Sequence, residues 1–283
     1  MNDSATLSTA RQRLWLPRLA LAGCVRAAVL RDTTGLELTE AQRHNHFPAT
    51  PLVSLSWWFS GSSRMLGDEA GPMPAPFVFA GPFTRPSVSV NEGPVHAMML
   101  MLLPDALRTL TGIDAQAHVN RLSDARTLLP APWLAMCEAV QAAPDDETRL
   151  QLIEDFLLPL WTAADPGTGP FLRYHDWVQA VALRAATSPA GRSLRQVERR
   201  IKQWAGLPLR ELRALSRAER TFAQVTAAVA QGPVNWAEQA EAVGYADQSH
   251  LCRETRRVTG FSPEELRRRI EQDESFWVYR LWE

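Results

Sequence analysis

His44 and His46 stand two residues apart, with Glu92 and His96 further along, and a histidine pair backed by a carboxylate is a donor set able to hold a divalent metal. Such a site expects an acid a few residues after the pair. Phe47 to Trp58 contains none, so surface or structural histidines are the expected reading, and no metal or cofactor is assigned. A second grouping points to other chemistry. Gln248, Ser249, His250, Arg253, Arg256 and Arg257 recur at the spacing of one helix face, and their donors and cations are the groups that read base edges and phosphates in a major groove. Arg195, Gln196, Arg199 and Lys202, with Glu198 among them, form a second such face. Cys24, Cys137 and Cys252 lie far apart without paired spacing, which argues against a disulfide or metal framework; Cys252 is read as a small, partly buried residue rather than a redox group. There is no nucleophile elbow, P-loop or dinucleotide fingerprint, and the chain is not expected to be an enzyme.

The elements that must hold these faces are legible in their punctuation. Asn235 and Glu238 have the spacing of a capping box, so a helix begins at Trp236 and buries Trp236, Ala240 and Val243. Gly244 can take the left-handed conformation that ends it, and Asp247 caps the next helix, whose Leu251, Thr255 and Val258 face inward. Gly260 stops that helix, and Ser262, Pro263 and Glu265 start another. Helix, short glycine-bearing turn and helix make a helix-turn-helix. Fifty-four residues earlier the pattern recurs from Ser193 to Pro208: Ser193 and Gln196 make a capping box, while Leu194, Val197, Ile201 and Trp204 form one apolar stripe. Its companion helix is expected over Tyr174 to Ala186, with Trp177, Val181 and Leu183 buried. Leu209 to Ala230, ended by Gly232-Pro233, reads as one helix of about 33 Å at about 1.5 Å per residue, close to the roughly 34–36 Å of one DNA turn.

On these residues, 171–270 resembles the tandem helix-turn-helix domain of AraC/XylS-type transcriptional regulators. GYADQSHLCRETRRVTGFSPEEL is similar to the family's glycine, serine-histidine, arginine and glycine-x-serine-proline pattern, with Thr255 where a core phenylalanine is usual and Leu209 where the first unit would carry proline. The resemblance implies double-stranded DNA as a partner, read by Arg195, Gln196, Arg199, Lys202, Gln248, Ser249, His250, Arg253 and Arg257. It also brings in a small-molecule effector, RNA polymerase and a second copy of the chain as partners to consider. For the amino-terminal part it implies a cupin-like barrel.

Charge is divided in the same sense. Residues 171–270 hold 17 Lys+Arg against 10 Asp+Glu, a net +7, which leaves 13 against 21, or −8, elsewhere; a basic module on an acidic body fits a nucleic-acid binder. With 283 residues and 46% apolar content, two domains are expected. Short apolar or alternating runs from Leu19 to Leu103, separated by glycine and proline, read as β structure, giving an α+β chain: a β-rich barrel followed by an all-α tandem helix-turn-helix domain. Trp57, Phe59, Phe77 and Phe79 are the expected lining of an effector pocket, though strand alternation also allows them to be core. Leu150, Ile153, Phe156, Leu157 and Leu160 form a helical stripe that must pack on the barrel or on another subunit. The expected division is a mobile arm over 1–18, an effector domain over 19–129, a helical connector or dimerisation segment over 130–165, the DNA-binding domain over 166–270 after a linker at 163–170, and a tail over 271–283. No run approaches a membrane span, and Pro17 and Arg18 interrupt the apolar stretch that the lipoprotein-like Leu21-Ala22-Gly23-Cys24 would need, so the cytoplasm is expected. The alternative from another class is a cupin-type enzyme or sensor whose helices make protein contacts.

Overall fold

Two antiparallel sheets make up the amino-terminal half of the computed structural model, which describes residues 10–67, 70–74, 76–164, 171, 173–189, 193–229 and 234–281. The strands are β1 (Arg11–Trp15), β2 (Val25–Asp32), β3 (His44–Phe47), β4 (Val53–Ser60), β5 (Ser63–Leu66), β6 (Gly71–Pro72), β7 (Phe77–Ala80), β8 (Ser87–Asn91), β9 (His96–Leu102) and β10 (Leu122–Asp124). Six form one sheet in the order β1-β2-β9-β4-β7-β10, and four form the other in the order β3-β8-β5-β6. The sheets face one another without closing into one barrel, and the class is α+β. Alternation along β4 decides what lies between them. Val53, Leu55 and Trp57 are buried on one side, where the Trp57 indole N–H donates to the Cys137 carbonyl at 3.2 Å, while Ser54, Ser56 and Trp58 face the other sheet.

The helices are α1 (Pro104–Thr111), α2 (Ala131–Ala142), α3 (Asp146–Ala164), α4 (Tyr174–Thr187), α5 (Leu194–Ala205), α6 (Leu209–Val229), α7 (Trp236–Val243), α8 (Gln248–Thr259), α9 (Pro263–Gln272) and α10 (Trp277–Arg280). Helices α2 and α3 cover the outer side of the six-stranded sheet, so the apolar stripe of α3 packs on this chain's own core: Leu150, Ile153 and Leu157 are buried, and Phe156 meets Trp133 edge-on at 5.3 Å. Leu160 remains exposed.

Three expectations need correction. The arm over 1–18 contains a paired strand, since Arg11–Trp15 runs antiparallel to Ala28–Asp32 in register; an edge strand is held by backbone hydrogen bonds and needs no apolar period. The tail expected over 271–283 is docked as far as it is described, to residue 281: Phe276, Trp277, Val278 and Tyr279 are all buried, because this short aromatic run is shared between the sheets and the helices. Leu183 is 65% exposed, on the solvent side of α4, while Trp177, Val178, Val181 and Ala185 face inward. The linker at 165–170 and the Gly232-Pro233 stop lie outside the described residues.

The two halves share one core. A continuous set of buried side chains runs from the sheet through α2 and α3 to Trp177, Val181, Ile201 and Leu212 of the first helix-turn-helix unit. Asp105 of α1 accepts from the Trp177 indole N–H at 2.8 Å and pairs with Arg184. The second unit docks as well: the Ala49 N–H donates to the Val258 carbonyl at 2.8 Å, and His46 stacks on Phe276 with ring centroids 4.4 Å apart and planes at 15°.

Burial beside that ring pulls the His46 pKa down from its ordinary value to about 4, with Asp273 opposing and His44 and Arg269 reinforcing the shift. The unfolded chain therefore holds a proton on this ring between about pH 6.5 and 4 that the folded chain does not. Stability is expected to fall as pH drops through that window and to level off below it, by about 1–2 kcal/mol once screening of a partly exposed ring is allowed for. Urea midpoints of the wild type and of His46→Gln between pH 7 and 4 check this; equal slopes in both proteins would remove His46 as the cause.

Candidate nucleic-acid interface

The two helix-turn-helix units are α4-α5 and α7-α8, and their ends are built as the sequence indicates. Ser193 and Gln196 form a reciprocal capping box on α5. Asn235 Oδ1 accepts from Ala237 and Glu238 N–H at the start of α7, and Asp247 Oδ1 accepts from His250 N–H at 2.6 Å at the start of α8. Gly206, Gly244 and Gly260 close α5, α7 and α8 at φ of 76°, 88° and 86°, the left-handed region in which a side chain is strained. Between the units, α6 runs 21 residues unbroken, about 32 Å at about 1.5 Å per residue. Its Leu212 and Leu215 enter the core of the first unit, and Val225 that of the second, with Leu266 and Ile270 of α9.

On α5, Arg195, Arg199 and Lys202 are exposed and Gln196 half-buried, forming with Glu198 and Ser193 a shallow cationic concavity. On α8, Gln248, Ser249, Arg253 and Arg256 are exposed and His250 half-buried. Two residues of the predicted face are engaged inside the domain. Arg257 pairs with Glu211 of α6 and, at 3.3 Å, with Glu254, so it ties α8 to the spacer helix while its side chain stays 34% exposed. The His250 ring packs edge-on against Tyr245 at 5.2 Å, and its Nδ1 accepts weakly from Ala246 N–H at 3.4 Å, which leaves Nε2 as its outward group. Thr255, the departure at the core position, is buried and hydrogen-bonds the Leu251 carbonyl at 2.8 Å, a local solution to placing a hydroxyl in the core. Trp204 and Trp236, expected as core, are half-buried; the Trp236 indole N–H donates to Glu264 at 3.1 Å. Cys252 is half-buried on α8, and Cys24 and Cys137 are buried, which pushes both of those thiols up, Cys137 to about 12.

The histidines do not converge. His44 Nδ1 lies 2.9 Å from the Glu40 carbonyl, His46 stacks on Phe276 and meets Phe261 edge-on, and His96 Nε2 is 2.9 Å from Asp146. Among the described residues no group of three or more His, Cys, Asp or Glu is placed to hold a metal ion.

A cavity of about 710 Å³ lies between the two sheets. None of Trp57, Phe59, Phe77 and Phe79 lines it. Trp57, Phe77 and Phe79 share the opposite strand face and are buried there, while Phe59 lies under the Arg149 guanidinium, 3.6 Å from ring centre to cation, and meets His96 edge-on. The lining comes from the alternate positions, Ser54, Ser56, Trp58, Val78 and Ala80, with Met99 and Met101 of β9 and Ser63, Ser89 and Asn91 of the second sheet. Side chains of α6 (Leu215, Glu219, Phe222) and of the carboxyl-terminal segment (Trp277, Tyr279) complete the wall. Glu219 fixes α6 there: it pairs with Arg26 of β2 at 3.1 Å and accepts from Tyr174 N–H at 2.8 Å, and burial, opposed by Arg26, holds its carboxyl above the usual range. Sequence reasoning passed over Arg31, Asn45 and Asn91 on this wall. A cation in the apolar strand AAVLRD was the available signal.

A family model described as a helix-turn-helix domain matches residues 187–269. No curated protein matches the chain. Among solved structures, ToxT from Vibrio cholerae O395 is similar at 10% identity over 80% of this chain and 93% of that one, with a TM-score of 0.38. Wild-type ToxT from V. cholerae strain SCE256, with an unsaturated fatty acid bound, is similar at 12% identity over 79% and 94%, TM-score 0.37. The AraC-like transcriptional activator CuxR is similar at 15% identity over 68% and 75%, TM-score 0.27. No described helix is long and apolar enough to cross a membrane.

Proposed function

We propose that the chain is a regulator of the AraC/XylS type, as its carboxyl-terminal helix-turn-helix pair supports, and that it regulates transcription by binding specific duplex DNA under the control of a small molecule held between its two sheets. The tandem reader carries the first half of the reading. Two recognition helices, α5 and α8, expose Arg195, Arg199, Lys202, Gln248, Ser249 and Arg253, and one unbroken helix of nearly one DNA turn in length holds them apart. The cavity supports the second half. A ligand controls DNA binding only through different affinities for competent and incompetent states. Here the cavity wall includes α6, the element that sets the separation of the recognition helices, so filling the cavity acts directly on the spacer.

Sequencing the fragments that the purified full chain enriches from random duplex DNA tests the reading. The expected site is bipartite, with two contacted elements about 10–10.5 base pairs apart on one face of the duplex. Affinity should fall steeply and linearly in log–log form as salt rises, because guanidinium groups displace condensed counterions. Absence of an enriched sequence, or binding indifferent to salt, would overturn it.

A further inference from the structure

The apolar stripe expected on α5 breaks at its first residue. Leu194 lies seven and eleven positions before Ile201 and Ala205 and so shares their side of the helix, and both of those are fully buried. Leu194 itself is 85% exposed, the most exposed leucine among the described residues. The core of the unit therefore ends short of the first turn of α5: Ser193, Leu194 and Arg195 are exposed, and cover begins only at Gln196 and Val197, which are half-buried. This overhanging turn is held in place and does not fray. Ser193 Oγ accepts from the Gln196 N–H at 3.3 Å, and Gln196 Oε1 accepts from the Ser193 N–H at 3.1 Å. A single exposed leucine on a protein surface is ordinary. This one stands at the start of a recognition helix, beside the exposed cations Arg195, Arg199 and Lys202, on the turn that a helix-turn-helix presents to base edges. Leucine has neither donor nor acceptor, so it holds no phosphate and reads no base by hydrogen bonding. The apolar group that a base pair offers in the major groove is the C5-methyl of thymine. On α8 the equivalent first position, 54 residues on and also directly after the capping residue, is the exposed Gln248, whose amide matches adenine instead.

We propose that Leu194 is a specificity-determining residue of the α5 half-site, where it selects thymine by covering the C5-methyl group. The inference rests on the DNA-binding reading above and adds the base that one position of that half-site must carry. It also makes the two half-sites unlike: the same place on the two recognition helices holds an apolar side chain in one and a hydrogen-bonding amide in the other. The flanking Arg195 and Arg199 supply the attraction to the duplex, which a leucine cannot, and the leucine supplies a choice of base that does not depend on charge. Its contribution is accordingly insensitive to salt, unlike that of the guanidinium groups beside it.

The test uses the full chain and the duplex site it selects. Each thymine of that site is replaced in turn by deoxyuridine, which removes the C5-methyl and keeps every hydrogen-bonding group. One replacement is expected to weaken wild-type binding by about fourfold, the worth of one buried methyl group, to the same extent at low and high salt. L194A should bind the thymine and the deoxyuridine forms of that site equally, having already lost the contact, while L194M should keep the preference. L194Q carries the side chain of Gln248 to the same place on α5, and a repeated selection with it should change the preferred base from thymine to adenine at that position alone. Because Leu194 belongs to no core, all three variants should melt with the wild type. A scan in which no thymine responds, or in which the response persists unchanged in L194A, overturns the assignment while leaving sequence-specific binding intact. A lowered melting point in L194A, with every sequence weakened alike, would make Leu194 structural and overturn it as well. If the full chain enriches no sequence at all, the DNA-binding reading falls and this inference with it.

Discussion

Replacing Trp177 by alanine is expected to lower the stability of the full chain by about 3–5 kcal/mol, the range for removing a large aromatic side chain from a closed core. Trp177 sits on α4, the first helix of the first DNA-reading unit, yet it is fully buried among side chains continuous with the β domain, and its indole N–H is held by Asp105 of α1 at 2.8 Å. The substitution therefore leaves both a cavity and a buried carboxylate with only Arg184 against it. Because the residue joins two halves of one core, urea denaturation followed by far-ultraviolet circular dichroism should show one transition, moved as a whole. A loss below about 1 kcal/mol, or a second transition in which only the helical part melts early, would mean that the halves fold separately. Trp177→Phe keeps most of the volume but loses the hydrogen bond, and it is expected to fall between wild type and alanine.

What could be read from the sequence was what a few neighbouring residues decide. A helix start needs an acceptor two or three positions before free N–H groups, and a stop needs a residue that tolerates positive φ; hence Ser193, Asn235, Asp247 and Ser262, and Gly244 and Gly260, were all visible before any packing was known. The long helix from Leu209 was legible for the same reason, having no breaker inside it.

What depended on distant partners was not legible. In SLSWWFS the aromatics look like the natural lining of an apolar pocket, but the strand is covered on both sides, by α2 on one and by the second sheet across the cavity on the other. Strand parity then sent Trp57 to the helices and left Ser54, Ser56 and Trp58 to the cavity. Arg257 has the spacing of a DNA-facing residue, and the approach of Glu211, 46 positions away, gives it a partner inside the domain. The run FWVY is too short to show a period, yet it fills the seam between sheets and helices because four consecutive bulky residues can bury on several sides at once when both halves are present. The same logic hid Arg31: a cation in an apolar strand signals a buried partner without saying that the partner is Glu274.

The remaining prediction with a large effect concerns the reading faces themselves. Arg199 and Arg253 occupy equivalent places on α5 and α8, both are exposed, and neither takes part in an ion pair among the described residues, so each is available to a base edge or a phosphate. Replacing one base-reading arginine by alanine should cost about 1–3 kcal/mol. If α6 is rigid, the two contacts lie far enough apart for their effects to add, and the double variant Arg199→Ala/Arg253→Ala should weaken binding to the selected site by about 2–6 kcal/mol, thirtyfold or more. The two variants are also expected to act on different halves of the bipartite site, each relaxing sequence preference at its own half if it reads a base, or weakening every sequence alike and flattening the salt slope by about one unit if it holds a phosphate. Arg257→Ala supplies the contrast: with Glu211 and Glu254 left unpaired between α8 and α6, it should lower the thermal midpoint while leaving base preference unchanged. Titrating each variant against scrambled halves of the selected site, alongside its melting curve, separates these outcomes. Wild-type affinity in the double variant would place the DNA-binding face elsewhere on the molecule.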